Sequence, residues 1–192
     1  MPRVTGLRTQ RGGHVLVEID GGAWRAFPVD VVVRAQLSPG IELDRPRLRR
    51  LAQERRRFEA LSAAGSVLRV RDLPAARVEE RLARRGIAPA QRAETLSALT
   101  RAGLVDDARF ARNRALALAG RGAGDTAIRY DLERYEVETD LIEDAIASLE
   151  PEHERAARIV TVRGRSVATA RFLARKGFSQ DSVEAAVGEV LA

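Results

Sequence analysis

Four groups of residues in this 192-residue chain carry side chains suited to bond chemistry, and each lacks the partners that chemistry needs. Asp106 and Asp107 are adjacent acids that could share proton transfer. They stand directly before an apolar helical pattern, however, where Asp106 can accept free helix amides and Phe110 can close over Val105 as a hydrophobic staple. Gly-Arg-Gly-Ala-Gly at 120–124 has the glycine content of a phosphate cradle. No Lys-Ser/Thr follows it and no strand leads into it, so a flexible loop is expected. Ser166 has no histidine nearby and fits a helix N-cap rather than a nucleophile. His14 and His153 have no neighbouring ligand, and the absence of cysteine removes thiolate nucleophiles, disulfides and most zinc sites. The sequence therefore assigns no catalytic residue, no metal, no cofactor and no small-molecule substrate.

Its outstanding chemical resource is cationic. Thirty-three basic residues face 27 acids, giving a net charge of +6. Lys176 is the single lysine, so nearly every cation is a guanidinium, able to grip phosphate or carboxylate through two parallel hydrogen bonds. An arginine-favouring codon usage would explain the choice of arginine but not its placement. Residues 1–71 hold 14 arginines against 7 acids, whereas residues 72–192 hold 19 basic residues against 20 acids.

Elements of several kinds must carry these groups. "HVLVEID" alternates Val15, Val17 and Ile19 on one face, and Asp20-Gly21-Gly22 supplies a tight turn before "AWRAF". Residues 4–9 offer a third strand, and "VDVVVRAQL" a short helix with Asp30 as a possible cap. This β-rich unit, residues 1–45, is too small to be stable alone and should lean on the segment after it. From Pro46 onward the pattern is helical. Leu48, Leu51, Phe58 and Leu61 form an expected buried stripe, with Arg47, Arg49, Arg50, Arg56 and Arg57 mostly elsewhere on the helix. That basic back is either a solvated face or a phosphate-binding one.

Three later segments repeat. "RVEERLARRGI", "AIRYDLERYEV" and "ATARFLARKGF" each place a leucine (Leu82, Leu132, Leu173) four residues before a turn position (Gly86, Glu136, Gly177) and an apolar residue just after it. Glycine at such a turn suits a left-handed helix cap; Glu136 is either strained there or marks a different exit. Asp125 and Ser166 are expected N-caps, and Asp72 with Pro74 starts the first copy. Leu96, Ile146 and Val187, then Leu99, Leu149 and Val190, continue the registers into a second helix. With the helix preceding each pair, the pattern gives three three-helix modules, 46–104, 105–149 and 150–192. The expected fold is mainly α, with the three modules in an elongated tandem arrangement and a small β-rich amino-terminal extension. A DNA-reading helix-turn-helix is disfavoured because "ETDLIEDAIASLE" carries five acids and no cation.

The central block, Gly103-Leu104-Val105-Asp106-Asp107 with Phe110 and Ala111, followed by Gly124, Ile128, Arg129 and Leu132, resembles that of the RecX family, regulators of the RecA recombinase. The resemblance extends from about residue 50 to the end. Asp125-Thr126 and Tyr135-Glu136 depart from it where family members commonly carry basic residues and Lys-Gly. It implies a non-enzymatic protein that binds RecA and its filament on single-stranded DNA and restrains ATP hydrolysis and strand exchange, in recombination, DNA repair and the SOS response. Asp106, Asp107, Phe110, Ala111, Ile128 and Leu132 are then structural. Candidate contacts to RecA or DNA are Arg47, Arg49, Arg50, Arg56, Arg57, Arg84, Arg85, Arg112, Arg121, Arg129, Arg134, Arg171, Arg175 and Lys176. Direct nucleic-acid binding through residues 45–57 is the alternative. No stretch approaches the roughly 18 apolar residues of a membrane span and the amino terminus lacks a signal pattern, so a cytoplasmic location is expected. A monomer is expected as well.

Overall fold

The alternation in residues 14–19 builds a sheet. In the computed structural model, which describes residues 1–188, β1 (Val4–Gln10), β2 (His14–Ile19) and β3 (Gly22–Pro28) pair antiparallel in chain order. Ile19 faces Gly22 across a two-residue turn in which Asp20 (φ 49°) and Gly21 (φ 83°) are both left-handed, the conformation that matches strand twist. Ten helices follow among the described residues: α1 (Val29–Arg34), α2 (Arg45–Leu68), α3 (Ala75–Arg84), α4 (Pro89–Arg101), α5 (Asp107–Ala119), α6 (Asp125–Glu133), α7 (Thr139–Ala147), α8 (Glu152–Arg163), α9 (Val167–Arg175) and α10 (Gln180–Val187). None is long and apolar enough to cross a membrane.

Contacts group the residues into two compact units. The first comprises Met1–Arg69 with Leu82–Ser97, the second Val70–Arg81 with the chain from Ala98 onward. In the first, Val4, Val17, Phe27, Val31 and Leu43 form a core that Leu51 of α2 completes, so the β-rich segment does lean on the following helix. The buried stripe of α2 differs from the expected one. Leu48 is exposed and Phe58 and Leu61 are only half-buried, whereas Leu51, Ala60, Ala63, Ala64 and Val67 are buried. Alanines at helical spacing let backbones approach closely, and their small side chains do not stand out as an apolar stripe in the sequence.

The second unit holds two similar cores. Helices α5, α6 and α7 enclose Phe110, Ala111, Ala115, Ile128, Leu132, Val137, Ile142 and Ala145. Helices α8, α9 and α10 enclose Ala156, Val160, Ala170, Leu173, Phe178, Val183, Ala186 and Val187. The repeat anchors Leu82, Leu132 and Leu173 are all fully buried. Of the paired registers, Leu99 and Val187 are buried and Leu96, Ile146 and Leu149 half-buried; Val190 lies outside the described residues.

Each anchor also closes its helix in the same way. The amides of Ile87, Val137 and Phe178 donate to the carbonyls of Leu82, Leu132 and Leu173 at 3.2–3.3 Å, and the turn residue donates to the carbonyl three before it. This double bond pattern requires a left-handed residue at the turn. Gly86 (φ 74°) and Gly177 (φ 80°) adopt it freely, but Glu136 is held there at φ 60°, so the strained alternative is the correct one. Glu136→Gly should therefore stabilise the protein by up to about 1 kcal/mol, read as a rise in the denaturation midpoint. The gain is tempered by loss of a 3.4 Å ion pair with Arg77. An unchanged or lower midpoint would mean that the ion pair outweighs the strain.

Ser166 caps α9 through the Thr169 amide, and Asp106 caps α5 through the Arg109 amide at 2.8 Å, as expected. Three other expected caps are corrected. Asp30 lies inside α1, which starts after Pro28 with no side-chain cap. Helix α3 starts at Ala75 and draws its cap from Asp107, not Asp72. Gly124, not Asp125, is the N-cap residue of α6. In the last two cases tertiary partners replace the local cap.

Candidate interaction site

Two joints in the second unit lock α3 to α5 and α6 to α8 by one device. The first residue of α5, Asp107, accepts the Ala75 amide at the start of α3 at 2.8 Å. The first residue of α8, Glu152, accepts the Asp125 amide at the start of α6 at 2.7 Å. A helix start exposes unsatisfied amides and partial positive charge, so a carboxylate from a neighbouring helix start satisfies it. In both joints a helix exit meets that start: Arg77 donates to the Arg134 carbonyl, and the Gly124 and Thr126 amides donate to Lys176 and Gly177 carbonyls at 2.9 and 3.1 Å. The Asp106-Asp107 pair thus serves as two caps, one for its own helix and one for α3.

The second joint is the more elaborate. Arg155, only 5% exposed, donates to the carbonyls of Glu150 (2.9 Å) and Ala123 (2.8 Å) and to the Asp125 carboxylate, with its guanidinium over the Phe178 ring. Burial pushes the Asp125 carboxyl up, against the pull of Arg155. Burial would also raise Glu152, but hydrogen bonds from the Ser179 hydroxyl and the Asp125 and Ser179 amides outweigh it and hold its pKa below the ordinary value. A Cβ on Gly124 would stand 2.3 Å from the Gly177 carbonyl carbon. Residues 120–124 are therefore not the flexible loop expected from their glycines, because Gly124 is buried in this joint and hydrogen-bonded. Nothing in the sequence singles out Arg155 and Glu152, because "EHERAAR" reads as a solvated helix face.

The candidate contact residues divide between the units. In the first, Arg47 holds the Glu42 carbonyl (2.8 Å), Arg50 holds Gln36 (2.9 Å), and Arg85 holds Ala63 and Ser66. Arg57 lies 3.8 Å from Glu94, and Arg84 is exposed. Arg49 and Arg56, seven residues apart on one side of α2, are exposed. In the second, Arg129 is engaged by Glu143 in a bidentate pair (2.9 and 3.0 Å), which also lowers the Glu143 carboxyl. Arg112, Arg121, Arg134, Arg171 and Arg175 are exposed. Arg121 borders an open groove of about 380 Å³ with Arg158, Arg163, Ile159 and Phe172. Arg163 and Lys176 share the Phe172 ring, at 4.1 and 5.8 Å from its centroid. Arg158 and Arg163 are further cations of this groove, and nothing local in the sequence of α8, with three arginines against two glutamates, sets them apart. No group of three or more potential metal ligands occurs among the described residues.

No protein-family model matches the chain. It is 32% identical over 117 residues, 56% of its own length and 73% of the relative's, to "Regulatory protein RecX" of Halorhodospira halophila (strain DSM 244 / SL1). Its fold is similar to the crystal structure of a regulatory protein RecX, with a TM-score of 0.82 at 20% identity over 98% of this chain and 100% of that one. It is also similar to the crystal structure of RecX from Lactobacillus salivarius, with a TM-score of 0.62 at 18% identity over 70% of this chain and 96% of that one.

Proposed function

The chain belongs to the RecX family of regulatory proteins, and from that premise we propose that it binds a RecA recombinase and its filament on single-stranded DNA, slowing ATP hydrolysis and strand exchange. The observation that carries this reading is how the shared block is used. Asp106 and Asp107 cap helices, while Phe110, Ala111, Ile128 and Leu132 fill a core. Arginines such as Arg112, Arg171 and Arg175 are left facing outward on helices held by the joints. An array of cationic patches on a firm scaffold suits an acidic or phosphate-bearing partner, and several modest contacts reinforce one another when their spacing is fixed.

In this reading the residues 46–104, 105–149 and 150–192 act as successive docking modules, with 1–45 as an appended domain. The protein works as a monomer in the cytoplasm, in recombination, DNA repair and the SOS response, and uses no catalytic residue of its own. Direct DNA binding is a second reading, favoured by the exposure of Arg49 and Arg56 on α2.

Co-sedimentation with RecA filaments on single-stranded DNA, with and without nucleotide, tests the proposal. The protein should pellet with filaments. The combined Arg112→Glu, Arg171→Glu and Arg175→Glu substitutions should weaken that binding about tenfold or more, equivalent to about 1.4 kcal/mol. Arg49→Glu with Arg56→Glu separates the second reading: loss of naked-DNA binding with filament binding intact would favour direct DNA recognition by α2.

A further inference from the structure

Within the first unit, α1 and α2 flank a cavity of about 310 Å³ whose apolar lining comes from Val31, Phe58 and Leu61. Four charged residues, Asp30, Arg34, Glu54 and Arg57, and the polar Ser62 complete the lining. Their charges are not spent on one another. Asp30 and Arg34 stand one helical turn apart on α1 without an ion pair, and Arg57 is engaged only by Glu94 at 3.8 Å. Glu54 Oε2 is shut off from solvent and accepts no hydrogen bond, and it is the single buried side-chain polar atom so placed among the described residues. A buried carboxylate oxygen without a donor leaves its negative charge uncompensated, and that charge favours a cation held in the adjoining cavity.

The lining makes three demands. Glu54, with Asp30 nearby, asks for a cationic donor; Arg34 and Arg57 ask for an anion; Val31, Phe58 and Leu61 ask for an apolar body. The volume lies at the lower end of small-molecule pockets, so the occupant is one compact molecule and not a length of chain. A free α-amino acid with an apolar side chain meets all three demands.

We propose that this cavity binds such an amino acid, with its ammonium beside Glu54 and Asp30, its carboxylate beside Arg34 and Arg57 and its side chain against Val31, Phe58 and Leu61. The site lies wholly within residues 30–62 and does not rest on the RecA reading.

Titration calorimetry and thermal melting of the full chain test it, with L-phenylalanine and L-leucine as probes. Both amino acids should bind and raise the melting midpoint with concentration. Phenethylamine and 3-phenylpropionate, each lacking one charge, should bind at least about tenfold more weakly. Glu54→Gln should weaken L-phenylalanine binding about tenfold or more. Asp30→Asn, at an exposed position that leaves the fold intact, should weaken it to a smaller extent. Three outcomes would overturn the proposal: no binding of either amino acid at about 10 mM, equal binding by a singly charged analogue, or undiminished binding to both variants.

Discussion

Arg155→Ala is expected to destabilise the second unit by about 3–5 kcal/mol, the range for removing one partner of a buried ion pair. The guanidinium satisfies two backbone carbonyls and the Asp125 carboxylate at once, and at 5% exposure little water can replace it. Without it Asp125 keeps the burial that already pushes its pKa up and loses the charge that opposes this, so the carboxyl should take up a proton more readily. Asp125→Asn in the same chain should then recover part of the loss, because the stranded charge is gone. Equilibrium denaturation of the single and double variants measures both effects. A loss below about 1 kcal/mol for Arg155→Ala would show that this joint contributes little to holding α6 and α8 together.

Leu132→Ala is expected to cost about 2–5 kcal/mol through lost burial and the cavity left behind. Leu132 is fully buried among Phe110, Ile128 and Ile142, and its carbonyl receives the closing bond of the α6 cap. Leu116→Ala on α5, at an exposed position, is the control and should stay within about 0.5 kcal/mol of the parent. If the two variants melt alike, Leu132 is not the anchor of its helical trio. Because the helices of a repeat protein draw stability from neighbouring contacts, the Leu132 variant should also lose filament affinity without losing any contact side chain.

The repeat anchors are legible in the sequence because each couples a leucine to a turn residue at fixed spacing, a purely local signal. Glu136 shows how far that signal reaches: its place in the repeat is a left-handed position, and its φ of 60° agrees. Local caps such as Ser166 and Asp106 are legible for the same reason. Caps supplied across the fold are not. Nothing near Ala75 or Asp125 in sequence reveals that Asp107 and Glu152 will meet their amides, since those carboxylates come from 32 and 27 residues away. Gly124 likewise owes its glycine to the backbone of Gly177, which no local pattern discloses. Arg155 resembles its solvated neighbours until carbonyls converge on it. The cationic face is legible as composition, whereas the pairing of Arg129 with Glu143 and the exposure of Arg112, Arg171 and Arg175 depend on packing.

RecA-dependent ATP hydrolysis on single-stranded DNA, measured against increasing amounts of this protein, tests the central claim most directly. A rate that falls with concentration and levels off once the filament is saturated is the predicted result. A rate that stays constant, with no protein recovered in the filament pellet, would contradict it.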